Sequence, residues 1–200
     1  MSKFKISYPN GATAIDPNEI KDLIPDYISK MSELNQLEQS NIADAFIWAG
    51  NQNLEDLLSV SFILELHKKM FDQVWKWAGK MRRSNKNIGV AKENIVTDLA
   101  ILIGDTKFRI ENKTFYIYEI AVRFHHRLVQ IHVFSNGNGR HARLMTDLLL
   151  RKLGENKFSW GTLESNTPIE AEGKTRSKYI ASLKKADNDD FIDLIKFVKS

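Results

Sequence analysis

The chain has 200 residues, the size of one domain or of one domain with a modest extension. Hydrophobic residues make up 42%, enough for a core, and 29 Lys+Arg against 25 Asp+Glu leave a net charge of +4, which permits a phosphate-bearing or acidic partner without demanding one. With no cysteine, the composition excludes a disulfide framework, a Cys-ligated metal and thiol catalysis.

The turn signals Pro9-Asn10-Gly11 and Asp16-Pro17 make the start a loop-like lead-in. A short helix is predicted after Asp16, with Pro17 at its first position and Glu19 in its first turn. Leu34, Leu37, Ile42, Ala45 and Ile47 predict a helix over 32–48 capped by Ser32. Leu57, Val60, Ile63, Leu64, His67 and Phe71 predict a second over 53–75. The basic, Ser- and Asn-rich stretch 80–90 has no helical stripe and is predicted as a small hairpin around Ser84-Asn85-Lys86-Asn87. Helices are predicted again over 94–107, 114–130 and 138–153, the last stopped by Gly154. Two more are predicted over 169–186 and 190–199. Helix follows helix without βαβ alternation, so the class is all-α. The longest apolar runs, 45–49 and 99–103, are five residues, whereas a membrane span needs about 20. The N-terminus carries no apolar signal core. A cytoplasmic protein with no membrane partner is expected.

One segment carries chemistry: Ile131-His132-Val133-Phe134-Ser135-Asn136-Gly137-Asn138-Gly139-Arg140-His141-Ala142-Arg143. His132 leaves the core at a helix end. Two glycines let the backbone approach a ligand closely. The next helix starts there, and its N–H groups and positive dipole end make an anion site. Arg140 and Arg143, three apart, share a face, while Ala142, Met145, Leu149 and Leu153 take the buried one. Two guanidinium groups at a helix start suit a polyphosphate, and an imidazole beside it suits a general base. A bare Gly-Asn-Gly before Arg reads more often as a tight turn with solvated arginines. His132 and Phe134 weigh against that.

The seven positions in His132-x-Phe134-x-x-Gly137-Asn138-Gly139-Arg140-x-x-Arg143 resemble the signature of Fic domains. The resemblance extends over 55–200, through Trp77-Ala78-Gly79-Lys80 and Arg176-x-x-Tyr179. It implies a Fic core at 55–200, a compact helical bundle with a small β-hairpin flap, preceded by an extension at 1–54 whose helices pack on it. The segments Asp22-Leu23-Ile24-Pro25 and Glu33-Leu34-Asn35-x-x-Glu38-Gln39-x-Asn41-Ile42 are similar to the Fic group named mobile mystery protein B.

The resemblance implies a protein adenylyltransferase that moves AMP from Mg·ATP to a Ser, Thr or Tyr hydroxyl of an unknown target protein. His132 would be the general base and Phe134 a core anchor. Gly137, Asn138 and Gly139 would hold the α- and β-phosphates, Arg140 and Arg143 the outer ones, and Tyr179 would join the nucleotide site. The flap residues Arg82, Arg83, Asn87, Ile88 and Gly89 would dock the target. Asn136 stands where the family usually has the Asp or Glu that holds Mg²⁺. A neutral amide ligates Mg²⁺ less strongly, so another phosphate-containing donor, or nucleotide binding without transfer, stays open. Val133 replaces the usual Pro. Many Fic proteins are restrained by a helix Glu preceded by Ser or Thr at four residues. Ser29-x-x-x-Glu33 has that spacing, which makes Glu33 a candidate restraint on Arg140, and Glu172-Gly173 has the ending but Pro168 in the Ser/Thr position. An antitoxin-like regulatory protein is an equal reading. His125 is expected in the core, His67 lacks a zinc pattern, and Trp48, Trp75, Trp77 and Trp160 read as core. The main rival is a nucleic-acid- or partner-binding module, but no basic recognition helix supports nucleic acid.

Overall fold

The computed structural model describes residues 19–163, 169 and 173–200. The helix start at Pro17 and the positions Pro168 and Glu172 lie outside them. Among the described residues there are seven α-helices, two short 3-10 turns and no strand.

Helix α1 (Met31–Gly50) contains Ser32 rather than being capped by it. Glu33 serves its start instead, its carboxylate accepting the N–H groups of Ser29 (2.9 Å) and Lys30 (3.1 Å). The buried stripe of α1 runs Leu34, Glu38, Asn41, Ala45, Ala49. Two polar residues on a buried face need partners. Asn41 finds them at the end of helix α2 (Val60–Phe71), donating to the Lys69 carbonyl (2.8 Å) and accepting from the Gln73 N–H (3.0 Å).

The residues before α2 are turns, not the helix expected from 53. Asn53 Oδ1 takes the Glu55 N–H (3.1 Å), and Leu57 N–H bonds the Leu54 carbonyl (3.1 Å). These local bonds compete with a helix. Ser59, extended at φ −142°, caps α2 by accepting the Phe62 N–H (3.1 Å).

Helices α3 (Ile95–Glu111), α4 (Ile117–Ile131) and α5 (Asn138–Lys152) follow, then α6 (Lys174–Ala186) and α7 (Ile192–Val198). The α4–α5 pair sits between two apolar clusters. On one side Phe124, Leu128, Ala142, Met145 and Leu149 pack with Ile63, Leu66, Phe71 and Trp75. On the other Ala121, Val122 and Leu150 pack with Trp160, Tyr179, Leu194 and Phe197. Each large buried side chain contributes about 1.5–3 kcal/mol, so the loop joining α4 to α5 is anchored at both ends by helices packed on two sides. Gly154 ends this run in the left-handed region, at φ +78°.

The hairpin expected over 80–90 does not form. Met81 makes an isolated antiparallel bridge to Phe134, so the segment pairs with the loop after α4 rather than with itself. Its inner carbonyls go to a side chain. Arg82 donates from Nη1 to Ser84 O (2.9 Å) and from Nη2 to Val90 O, closing the flap without a strand ladder.

Candidate functional site

Helix α4 stops at His132, whose φ of +55° and ψ of +61° turn the chain out of the helix. The conformation is uncommon for a side chain this large, and it is held from both sides. Arg82 Nε donates to the His132 carbonyl (2.7 Å), and Arg82 N–H to the Val133 carbonyl (2.9 Å). Gly89 lies against His132: a Cβ there would meet His132 Cβ at 2.6 Å. Arg82 is therefore 4% exposed and part of the frame, while Arg83, Asn87, Ile88 and Gly89 are exposed. Desolvation first, and then the Arg82 and Lys86 charges, pull the His132 pKa down to about 4. At neutral pH the imidazole is uncharged and able to take a proton.

The loop after it is tied by Asn138. Its Oδ1 accepts the Phe134 N–H (2.9 Å) and its Nδ2 donates to the Phe134 carbonyl (2.8 Å). Phe134 is fully buried, as an anchor should be. Gly137 begins α5 at φ +76°, and the first intrahelical bond is His141 N–H to Gly137 O (2.9 Å). The N–H groups of Asn138, Gly139 and Arg140 precede it and have no helical acceptor. With the helix dipole they make the positive end of α5.

Gly137 cannot be replaced cheaply. A Cβ there would lie 2.5 Å from Phe71 Cζ, whereas at Gly139 the nearest atom is Arg143 Nη1 at 3.8 Å. Gly137→Ala is expected to lose about 1–3 kcal/mol through overpacking and backbone strain, and Gly139→Ala to fold normally. Thermal melts of the two variants check this, with a fall of several degrees for the first alone.

Arg140 and Arg143 diverge. Arg140 Nη1 donates to Glu38 Oε2 at 2.7 Å, and its guanidinium lies over the Phe71 ring at 4.9 Å. The other Glu38 oxygen, Oε1, accepts from Trp75 Nε1 at 2.7 Å, so Glu38, 6% exposed, is held in place before any ligand arrives. Glu33 is not the residue at Arg140. It sits in the first turn of α1, and five residues along the helix bring Glu38, not Glu33, onto the inner face. Arg143 is braced from behind by Tyr179, whose hydroxyl also bonds His125 Nε2 (2.9 Å). Tyr179 is thus a buried support of Arg143, and His125 is a core histidine as expected.

Asn136 lies at the mouth of the loop, and its Oδ1 accepts the Gly137 N–H (2.6 Å). Among the described residues no group of three or more His, Cys, Asp or Glu could hold a metal ion. One engaged, neutral oxygen does not by itself make a Mg²⁺ site, which needs near-octahedral oxygen ligation. No described helix is long and apolar enough to cross a membrane.

The model of the Fic/DOC family matches residues 57–150, which span His132, the loop after it and both arginines. These residues form a Fic/DOC family domain. The chain is similar to the protein adenylyltransferase Fic of Aedes aegypti, with 27% identity over 84% of this chain and 32% of the relative. It therefore spans about a third of the length of the curated Fic relatives it matches. The structure is similar to Fic-1 (residues 134–508) of C. elegans, with a TM-score of 0.64 and 25% identity over 90% of this chain and 51% of that one. The BepC effector of Bartonella tribocorum, solved with bound AMPPNP, shares the fold at a TM-score of 0.67 and 13% identity over 86% and 87% of the two chains.

Proposed function

We propose that the chain is a Fic adenylyltransferase that moves AMP from ATP to a Ser, Thr or Tyr hydroxyl of a target protein. The observation that carries the reading is the placement of an uncharged, buried imidazole at the end of α4 and an N–H-lined helix start, with Arg140 in its first turn, six residues later. His132 accepts the proton of the incoming hydroxyl. The hydroxyl oxygen bonds to the α-phosphorus, the bond from that phosphorus to the bridging oxygen breaks, and pyrophosphate leaves. The N–H groups of Asn138 and Gly139 and the Arg140 guanidinium meet the charge that spreads over the phosphate oxygens. The exposed residues Arg83, Asn87, Ile88 and Gly89 present the target beside His132. The mobile mystery protein B subgroup belongs to the same proposal, as do a regulatory partner protein and Mg²⁺ carried in on the nucleotide's phosphates.

Asn136 favours one second reading, transfer of another part of the donor, because the usual carboxylate is absent from its place. Incubation with ATP labelled at the α- or the γ-phosphate, in lysate and with Mg²⁺, separates the two. Label from α alone, absent with His132→Ala, supports AMP transfer. Label from γ alone overturns it in favour of phosphorylation, and ATP binding without label leaves a nucleotide-binding protein.

Glu38 sets a condition on this chemistry. Its carboxylate occupies the guanidinium that the phosphates would use and adds a negative charge at the anion site. Glu38→Gln keeps an acceptor for Trp75 Nε1 and removes the charge. It is expected to tighten ATP binding about tenfold, the difference between a charge-assisted and a neutral hydrogen bond at Arg140. Calorimetric titration of ATP checks it, and equal or weaker binding by the variant would show that Glu38 imposes no restraint.

A further inference from the structure

His67 has no part in the chemistry above, yet it is a fully buried polar side chain held on every side. It lies in the last turns of α2 and has no exposed surface. Its ring stacks on Phe134 with centroids 3.5 Å apart and planes 9° from parallel, and it meets His141 edge-on at 5.6 Å. Both ring nitrogens are used. Nδ1 lies 3.0 Å from the Gly79 N–H, and Nε2 lies 3.1 Å from the Asn136 carbonyl oxygen.

The chemistry of these two partners fixes the tautomer. A backbone N–H can only donate, so Nδ1 carries the lone pair. The ring proton then sits on Nε2 and is donated to Asn136 O. Burial, with the neighbouring His141, keeps the ring uncharged by pushing its pKa well below the usual histidine value. A charged ring would put a proton on Nδ1 against the Gly79 N–H.

The two peptides it reaches matter for different reasons. Gly79, at φ +72°, is where the chain leaves Trp77 and turns into the flap, and a Cβ there would lie 2.6 Å from Lys68 Cβ. Asn136–Gly137 is the peptide just before α5. A peptide is planar, so a carbonyl pinned inward toward His67 sends its N–H outward. That N–H meets Asn136 Oδ1 (2.6 Å), and Gly137 then takes up its left-handed conformation and starts the helix. The direction of the next three N–H groups follows from this peptide.

We infer that His67 is a positioning residue of the phosphate site: as an Nε2–H donor it sets the Asn136–Gly137 peptide, and so aims the N–H groups of Asn138, Gly139 and Arg140 at the nucleotide, while its Nδ1 joins that loop to the root of the flap at Gly79. The inference rests on the nucleotide-transfer reading and adds to it a residue that touches no substrate.

Two substitutions divide the roles of the ring. In His67→Gln the amide nitrogen reaches the place of Nε2 and keeps the donor to Asn136 O. In His67→Asn the shorter amide reaches the place of Nδ1 and keeps the acceptor for Gly79 N–H. His67→Gln is expected to bind ATP nearly as wild type does, and His67→Asn to bind it about tenfold more weakly, the worth of one hydrogen bond. The two should melt at similar temperatures. Weakening of both in proportion to lost thermal stability, or of neither, would overturn the inference. Nitrogen-15 NMR of the free wild-type protein reads the ring and the loop without nucleotide and without relying on the variants to fold. The Nε2–H tautomer is expected, and the Nδ1–H tautomer would overturn the inference. With His67→Gln the amide signals of Gly137 and Gly139 should stay near their wild-type positions, and with His67→Asn they should move. Failure of wild type to bind ATP, with the tautomer and amide pattern as expected, would overturn the nucleotide reading and not the positioning of the loop.

Discussion

His132→Ala is expected to lower AMP transfer by about 10²–10⁴-fold, the usual worth of a positioned general base, and to leave ATP binding close to wild type. The separation follows from where the contacts are. Arg82 holds His132 through its main-chain carbonyl, which alanine retains. The anion site is built from α5 and Arg140, which the imidazole does not complete. Histidine and alanine both carry a Cβ, so the substitution adds little backbone strain at φ +55°, and a thermal melt checks this apart from the rate. Single-turnover transfer and ATP titration on the same preparation check the split. Transfer within tenfold of wild type would show that another group takes the proton. Because the His132 pKa is near 4, transfer by the folded enzyme should not decline at pH 6.5, where an ordinary histidine would be half protonated.

Acid should remove the fold before it silences the base. Desolvation lowers the pKa of four buried histidines: His132 to about 4, His125 and His141 to about 3, and His67 well below its ordinary value. In the unfolded chain each titrates near 6.5. The unfolded state thus binds protons first, and stability present above pH 6.5 is lost as pH falls toward the folded values. The limiting slope is about 1.4 kcal/mol per pH unit for each histidine. Asp147 acts the other way. Its burial raises its pKa to about 6, so the folded state gains that one proton earlier and returns part of the loss. Against a total stability of about 5–15 kcal/mol, denaturation midpoints should fall steeply between pH 6.5 and 5. A midpoint unchanged over that range would mean that these rings are solvated. The acid loss of activity should accordingly be cooperative and coincide with loss of helix signal by circular dichroism.

Much of this was legible in the sequence because local rules govern it. Helices α3, α4 and α5 follow apolar periodicity. The placement of His132, Gly137 and Arg140 follows from a helix ending and another beginning within a few residues. What was not legible depends on partners far along the chain. Glu38 and Asn41 stand in the sequence only as letters of a family resemblance with no role attached, although both fall on the stripe shared by Leu34 and Ala45, and a polar residue on a buried stripe was the available signal. Arg82 reads as one charge in a basic loop. Its burial depends on the His132 carbonyl fifty residues later, which no local pattern encodes. The hairpin was overpredicted for the same reason: turn-forming residues indicate a reversal of the chain but not whether a ladder or a side chain closes it.

Closure by Arg82 also bears on how freely this surface can diversify. The guanidinium recognises main-chain oxygens at Ser84, Val90 and His132, which every amino acid supplies. The letters at 83, 84, 87 and 88 are therefore little coupled to the shape they decorate, whereas Asn85 Oδ1 accepts the Lys92 N–H (2.9 Å), the Lys86 charge acts on His132, and Gly89 is constrained by its closeness to His132. A lineage could rewrite those four positions, and with them the docking proposed for this surface, while the loop geometry underneath stayed as it was.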